Sequence, residues 1–231
     1  MAQKARLLIV EDEAAIRSGL VDVFVYHGYE VKTADNGDDG LRQSLSGKYD
    51  LILLDVMLPG VDGFEICNRI RQQDRQQPVI MLTAKSNDED IVQGLTLGAD
   101  DYVAKPFSVT QLVLRVQAVL RRSGIDEQST REIQLSNGLV IDSQNLCAGD
   151  TVFTRREMDL LLYLAQQSDR PVAREELLAR VWGYANHMEI ETRTVDIHIA
   201  KLRRKIEADP ANPQAIVTVR GAGYRLMLAG Q

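Results

Sequence analysis

Four polar residues of complementary chemistry occur where short apolar runs end in the first half of the chain. They are Asp12, Asp55, Thr83 and Lys105. Two carboxylates can bind a hard divalent cation, which offsets their charge and lets an anion approach one of them. The hydroxyl and ammonium groups can then stabilise a phosphoryl group carried by an aspartate. A single aspartate at a strand end often only caps a loop, and Asp55 by itself leaves that alternative open.

The segments between these residues predict the sheet that would bring them together. Residues 51–54 are apolar without alternation, which is typical of a strand buried on both faces of a parallel sheet. Five strands alternate with five helices, which predicts an α/β fold with a five-stranded parallel, doubly wound sheet and right-handed crossovers. Because parallel strands place their carboxyl ends along one edge, we expect the four polar residues to converge there. Glu11 would help the two aspartates to bind Mg²⁺.

Composition and charge narrow the class of protein. The chain has 231 residues, 45% hydrophobic and 26% charged, which is ordinary for a globular protein. No apolar run approaches the roughly 20 residues of a membrane helix, and the N-terminal residues do not resemble a signal peptide. Two widely spaced cysteines fit reduced thiols, so we expect a cytoplasmic protein without a membrane partner. The net charge of −6 falls on residues 1–120, whereas residues 193–225 are basic, which predicts two units with different partners.

The first 120 or so residues resemble the receiver domain of two-component response regulators. The matching stretches are Glu11-Asp12, Leu54-Asp55-Val56-Met57-Leu58-Pro59, Thr83-Ala84 and Lys105-Pro106-Phe107. The resemblance implies that Asp55 is phosphorylated by a sensor histidine kinase. It also implies a Mg²⁺ ion held by Asp12, Asp55 and the backbone carbonyl of Met57, which Glu11 reaches through water.

The same resemblance implies a conformational switch. Thr83 and Tyr102 match the family's switch pair, and Lys105-Pro106 matches a peptide bond that is usually cis in receivers. A phosphoryl group adds about −1.5 to −2 charge and three acceptor oxygens. We therefore expect Thr83 to move toward it and the ring of Tyr102 to turn inward. Such a change is a population shift between two existing states.

The second half predicts a small α+β domain. A polar, aperiodic stretch at residues 123–130 is typical of a linker, which sets the predicted domains at residues 1–122 and 131–231. Short strands joined by turns at 137–138 and 149–150 predict an antiparallel sheet. Thr154 and Glu157 form a capping-box signature at the start of a first helix. A second helix at 174–182, a third at about 192–207 and a final hairpin complete a winged helix-turn-helix.

The third helix and the hairpin predict a surface for double-stranded DNA. A basic amphipathic helix alone is more often a solvated surface helix, but the hairpin behind it favours DNA binding. The helix would enter the major groove, and Arg220 at the tip of the wing could enter a minor groove. The expected DNA contacts are Arg193, Thr194, His198, Lys201, Arg203 and Arg220.

The second half also resembles the effector domain of OmpR/PhoB-type regulators. The matching stretches are residues 154–157, 181–183, 193–199, 202–206 and 219–225. The resemblance implies a transcription regulator that binds promoter repeats, is not an enzyme, and could meet RNA polymerase through the 183–191 loop. Ala200 stands where many relatives carry a basic residue, which puts a strong contact there in doubt.

Many such regulators form homodimers on phosphorylation, through three charged pairs. Only Asp101 and Arg115 remain here. The other two pairs are replaced by Ile91 with Gln111 and by Thr96 with Gln117. Ile91 and Leu114 add apolar surface, and exposed ion pairs contribute only about 0–1 kcal/mol each. We therefore expect phosphorylated dimers on this face to depend little on salt.

Two other functions use similar residues. An aspartyl-phosphate phosphatase or phosphotransferase also has an aspartate at a strand end, but it typically carries a second aspartate two residues later as acid/base. That position is Met57 here, which disfavours such an enzyme. A regulator that no longer uses phosphate is disfavoured because the four-residue pocket is complete.

Overall fold

The computed structural model describes residues 4–83, 97–120, 132–183 and 193–230. The side chain of Arg193 and the predicted linker lie outside this part of the chain, as does nearly all of the helix predicted at 88–98. Contacts between residues divide the protein into two compact units, Met1–Arg122 and Ser123–Gln231. No helix in the described ranges combines the length and apolar character needed to span a bilayer.

The first unit is a parallel sheet with helices packed against it. Its strands are β1 (Arg6–Val10), β2 (Glu30–Ala34), β3 (Leu51–Asp55), β4 (Val79–Thr83) and β5 (Asp101–Ala104). Its described helices are α1 (Ala14–Tyr26), α2 (Gly37–Ser46), α3 (Gly63–Gln73) and α4 (Val109–Leu120). The strand order is β2-β1-β3-β4-β5 and every pairing is parallel, as the alternating pattern predicts.

Strand register aligns the chemically useful residues at one edge. Val10 pairs with Leu54, the next residue Asp55 pairs with Leu82, and Thr83 pairs with Ala104. Every residue of β3 and β4 is buried, because helices cover both faces of the sheet. The apolar runs therefore fix the strands, and their last residues emerge together at the carboxyl edge.

The second unit combines two small sheets with three helices. Four short strands form an antiparallel meander: β6 (Glu132–Gln134), β7 (Val140–Asp142), β8 (Cys147–Ala148) and β9 (Thr151–Val152). The helices are α5 (Arg155–Gln166), α6 (Arg174–Val181) and α7 (Arg193–Ile206), and the final hairpin is β10 (Ile216–Val219) with β11 (Gly223–Leu226). This is the predicted winged helix-turn-helix architecture, with the β10–β11 hairpin as its wing.

Local signals in the sequence explain where α5 begins and how it packs. The hydroxyl of Thr154 accepts a hydrogen bond from the backbone N–H of Glu157, and the Glu157 carboxylate accepts one from the N–H of Thr154. This reciprocal capping box satisfies two N–H groups that a helix start leaves without partners. Leucines of α5 then pack with Trp182, Leu202 and Leu226 in one core.

Candidate functional site

A cluster of three carboxylates occupies the carboxyl edge of the parallel sheet. Glu11 and Asp12 follow β1, and Asp55 ends β3. One oxygen from each lies within 4.8 Å of the others. Glu11 and Asp55 are buried, whereas Asp12 is exposed. The structure thus brings together the carboxylates that the sequence predicts as ligands.

Lys105 reaches this cluster from the end of β5. Its ammonium nitrogen donates to Oδ2 of Asp55 at 2.6 Å and to Oε1 of Glu11 at 2.8 Å. The Lys105–Pro106 peptide bond that follows is cis. Burial alone would lower the pKa of Lys105, but its bonds to the two carboxylates outweigh that effect and raise the pKa. The lysine is therefore a fixed positive charge beside Asp55.

The charge balance of the pocket fits a divalent cation. Burial, together with the neighbouring Asp55, raises the pKa of Glu11 to about 7 although Lys105 opposes the change. One ammonium group therefore does not fully offset three closely spaced carboxylates. Carboxylate oxygens are the ligands that Mg²⁺ prefers, so a cation here would relieve the excess negative charge.

Two residues that the sequence reading missed shape this pocket. The guanidinium of Arg17, on α1, donates to the backbone carbonyls of Glu11 at 2.7 Å and Asp12 at 2.9 Å, which holds the loop carrying both carboxylates. Gly63, the first residue of α3, lies so close to β3 that a Cβ atom there would be 2.1 Å from the carbonyl oxygen of Asp55. No chemical property of glycine or of a helical arginine marks either position in the sequence.

The remaining receiver residues lie near this edge. Thr83 ends β4 and is fully buried, and Tyr102 on β5 is 7% exposed, so its ring lies inside the unit. The backbone N–H of Met57 donates to Oδ1 of Asp55 at 3.0 Å, while the Met57 side chain is largely exposed. The structure thus places Lys105 and the backbone of Met57 on the Asp55 carboxylate, and Thr83 at the end of the neighbouring strand.

The structure describes three of the four residues predicted for a dimer face. Asp101 and Arg115 form an ion pair within the chain, with Nη1 and Oδ2 2.8 Å apart. Leu114 is 40% exposed and lines a cavity of about 480 Å³ together with Tyr26 of α1. Ile91 lies outside the described residues. Within the described part of the chain, Leu114 therefore faces α1 and the charged pair joins α4 to β5.

The structure corrects the predicted orientation of α7. Thr194, His198 and Lys201 were expected on the DNA-facing side, but all three are buried, with exposures of 9%, 1% and 8%. Nδ1 of His198 is 2.9 Å from the carbonyl oxygen of Thr194, and its ring packs against Trp182. A buried imidazole cannot reach a base or a phosphate, so the expectation for His198 is wrong.

Glu157 explains why basic residues of α7 turn inward. Its buried carboxylate is 3.0 Å from the ammonium of Lys201 and 2.6 Å from that of Lys205. Burial alone would raise the pKa of Glu157, but the two lysines outweigh it and lower the pKa. The lysines thus compensate a charge that the capping box requires. Among the described side chains of α7, those of Ala200 and Arg204 are exposed.

The wing presents an exposed cation beside α7. Arg220 follows β10 at the turn of the hairpin and is exposed. Arg203 of α7, also predicted as a DNA contact, is only partly exposed and its guanidinium donates to the carbonyl of Ile216 on β10. Arg220 and Arg204 are therefore the described cations of α7 and the wing that project outward.

Comparisons with known proteins match both units. The family model "Response regulator receiver domain" matches residues 7–117, and "Transcriptional regulatory protein, C terminal" matches residues 149–226. The sensory transduction protein RegX3 of Mycobacterium tuberculosis is 43% identical over 225 residues, covering 95% of this chain and 98% of that protein. The response regulator ArlR of Staphylococcus aureus is 42% identical over 223 residues, with coverage of 95% and 98%.

A solved structure supports the same assignment over the whole length. The response regulator DrrB, described as a Thermotoga maritima OmpR/PhoB homolog, is 32% identical, with a TM-score of 0.53 and coverage of 97% of this chain and 100% of that chain. A RitR mutant is 28% identical, with a TM-score of 0.69 and the same coverage. The protein therefore belongs to the OmpR/PhoB-type two-component response regulators, which join a receiver domain to a DNA-binding domain that regulates transcription.

Proposed function

We propose that Asp55 accepts a phosphoryl group from a sensor histidine kinase, and that this modification changes how the second unit binds promoter DNA. The observation that carries the proposal is the Asp55 carboxylate itself. It is buried, lies within 4.8 Å of two further carboxylates and is bonded to Lys105 at 2.6 Å. A capping aspartate would need none of these neighbours.

The residues around Asp55 account for the transfer chemistry. A carboxylate oxygen of Asp55 attacks phosphorus, an acyl phosphate forms, and the bond to the imidazole nitrogen of the kinase breaks, leaving its electron pair on that nitrogen. Lys105 stabilises the added negative charge because its ammonium is already in place. Asp12, Asp55, the Met57 carbonyl and Glu11 would hold Mg²⁺, which supplies charge neutralisation when bound.

Thr83 and Tyr102 would transmit the modification. Thr83 ends the strand next to Asp55, and its hydroxyl can donate to a phosphoryl oxygen. Tyr102 lies on the neighbouring strand, where its ring is already inside the unit. In this proposal phosphorylation favours that inward arrangement over an outward one, which is a shift in population.

The second unit would read DNA with α7 and the wing. Arg220 and Arg204 are exposed, and cations near the backbone of the duplex supply most of the nonspecific affinity. Arg193 is the first residue of α7, and we infer that it contacts DNA because it belongs to a stretch that matches the family. Helix-turn-helix proteins commonly bind repeated half-sites as dimers, so we infer a homodimer on promoter repeats.

Further partners follow from the family. We infer that phosphorylated receivers dimerise through the face that carries Asp101 and Arg115, and that the 183–191 loop contacts RNA polymerase. We also infer that the protein is cytoplasmic and does not turn over other substrates as an enzyme. The intrachain pairing of Asp101 with Arg115 supports a dimer that depends little on salt, because no new ion pair need form. Measuring receiver association with a phosphoryl mimic at low and high salt tests this, and a steep salt dependence would contradict it.

Acetyl phosphate provides a direct test of Asp55. The wild type and the Asp22→Asn variant, which loses an exposed aspartate of α1, should both gain one phosphoryl group by intact mass in the presence of Mg²⁺. Asp55→Asn should gain none. Phosphorylation should also change affinity for a DNA fragment selected from a random pool. Equal phosphorylation of Asp55→Asn, or release of phosphate from small phosphoesters, would favour the alternatives.

A further inference from the structure

The wing and α7 are joined by a three-residue polar network. Nε of Arg174, at the start of α6, donates to Oδ1 of Asp196 on α7 at 2.6 Å. The hydroxyl of Tyr224 on β11 donates to the same oxygen at 2.6 Å and accepts from Nη2 of Arg174 at 3.1 Å. One carboxylate oxygen therefore bonds α7 both to the wing and to α6.

Arg203 makes a second attachment between α7 and the wing. Its Nε and Nη2 donate to the carbonyl oxygen of Ile216 at 2.9 and 2.7 Å, and Nη2 also donates to Oγ1 of Thr218 at 2.8 Å. The Tyr224 ring lies beneath two guanidinium groups, at 4.7 Å from Arg174 and 5.7 Å from Arg203. Both wing strands are thus bonded to α7, β10 through Arg203 and β11 through Tyr224.

The base of the wing has little freedom to adjust around these bonds. Val172 and Tyr224 exchange two backbone hydrogen bonds, at 2.7 and 2.9 Å. Gly223, at φ 116°, lies where a Cβ atom would be 2.0 Å from the carbonyl oxygen of Val172. Tyr224 itself is 5% exposed, and burial together with the bond to Asp196 raises its pKa, so its hydroxyl remains a neutral donor.

We propose that Tyr224, Asp196, Arg174 and Arg203 form a clamp that sets the position of the wing relative to α7, so that Arg220 and the helix contact one duplex together. The four side chains are positioning residues for DNA recognition. The proposal rests on the DNA contacts proposed above for α7 and Arg220. Its energetic basis is preorganisation: a wing already held in the bound arrangement loses less conformational freedom on binding.

Tyr224→Phe tests the clamp, because it removes only the hydroxyl and keeps the buried ring. In the full-length phosphorylated protein we expect DNA affinity to fall about five- to tenfold, a coupling typical of residues that share one network. In an Arg220→Ala background the same change should lower affinity less than twofold, since the wing contact has already been lost. Affinity is measured by fluorescence anisotropy on the selected DNA fragment.

The second unit supplies a matched control for loss of the tyrosine hydroxyl. Tyr163 donates to Oε1 of Glu176 at 2.7 Å, and Arg170 donates to the same carboxylate, a network that includes none of the four clamp side chains. Tyr163→Phe removes an equivalent hydrogen bond and should leave DNA affinity within twofold of the wild type. If it weakens binding as much as Tyr224→Phe, lost stability is the cause and the clamp proposal fails.

Two further outcomes separate the clamp from the contacts that it positions. If Arg220→Ala alone leaves affinity unchanged, the proposed wing contact is wrong and the clamp has nothing to position. If Arg220→Ala weakens binding but Tyr224→Phe does not, the wing contact stands and the clamp proposal is wrong. Equal losses from Tyr224→Phe in both backgrounds would also overturn the clamp, because Tyr224 would then act independently of the wing.

Discussion

Mildly acidic pH should destabilise the DNA-binding unit through His198, which the folded unit keeps neutral. The imidazole is 1% exposed, and its ring centroid is 5.1 Å from that of Trp182. Burial, aided by the nearby charges of Lys201 and Arg156, lowers the pKa of His198 from 6.5 to about 4. The folded unit therefore resists binding a proton that the unfolded chain accepts readily.

The sign and size of the effect follow from linkage. Between the two pKa values the unfolded state binds more protons, so stability rises with pH in that window and is complete above about pH 6.5. Lowering the pH from about 7.5 to about 5 should cost about 2 kcal/mol through His198 alone. With a urea slope of about 1–1.5 kcal/mol per M, the unfolding midpoint should fall by about 1.5 M.

The sequence contains one tryptophan, Trp182, and it lies in the second unit, the one that contains His198. Trp182 is fully buried against His198, so its fluorescence should follow unfolding of the second unit in the intact protein. His198→Gln should lower stability at both pH values but remove this part of the pH dependence. The carboxylates that also titrate in this range are common to both proteins. Equal pH dependence of unfolding in the wild type and His198→Gln would refute the reasoning.

Three further predictions concern other parts of the molecule. Arg17→Ala should weaken Mg²⁺ binding by about tenfold or more, measured by calorimetry, because the carbonyls of the loop lose their donor; unchanged affinity would contradict that role. Ala200→Arg should increase affinity for any DNA sequence and steepen the salt dependence by about one unit of log–log slope, and an unchanged slope would place position 200 away from phosphates. Arg71→Ala should destabilise the first unit by about 3–5 kcal/mol in urea unfolding followed by circular dichroism, since it removes one partner of the buried Arg71–Asp100 ion pair. Arg69→Ala, which breaks an exposed pair on the same helix, should cause almost no change, and equal losses would show that burial is not the cause.

The carboxylate cluster with Lys105 was predictable because it depends on topology more than on side-chain detail. Once apolar runs define parallel strands, the residues that follow them must lie at one edge of the sheet. In the structure Lys105 is hydrogen-bonded there to both Asp55 and Glu11, as the strand pattern alone predicts that they lie close together. Arg17 was not predictable in the same way, because its role depends on backbone carbonyls that every sequence possesses.

The DNA-facing side of α7 could not be assigned from periodicity. A helical repeat identifies the polar stripe that includes His198 and Lys201, but it does not reveal whether another element covers that stripe. Here Glu157, on a different helix, requires buried cations and draws Lys201 inward. The burial of the Tyr102 ring is likewise beyond the sequence, because an aromatic residue near a strand end can lie inside or outside the unit.

The tight approach of Gly63 to the backbone of Asp55 has a consequence for mutational scanning. Any side chain at position 63 would collide with the carbonyl oxygen 2.1 Å from its Cβ and push the start of the helix away from the strand. A comprehensive library scored by signalling output should therefore rank Gly63 alongside Asp55. Its intolerance to substitution would reflect the lack of space for a Cβ atom. A search for reactive groups based only on such a ranking would therefore select a residue that has no reactive group.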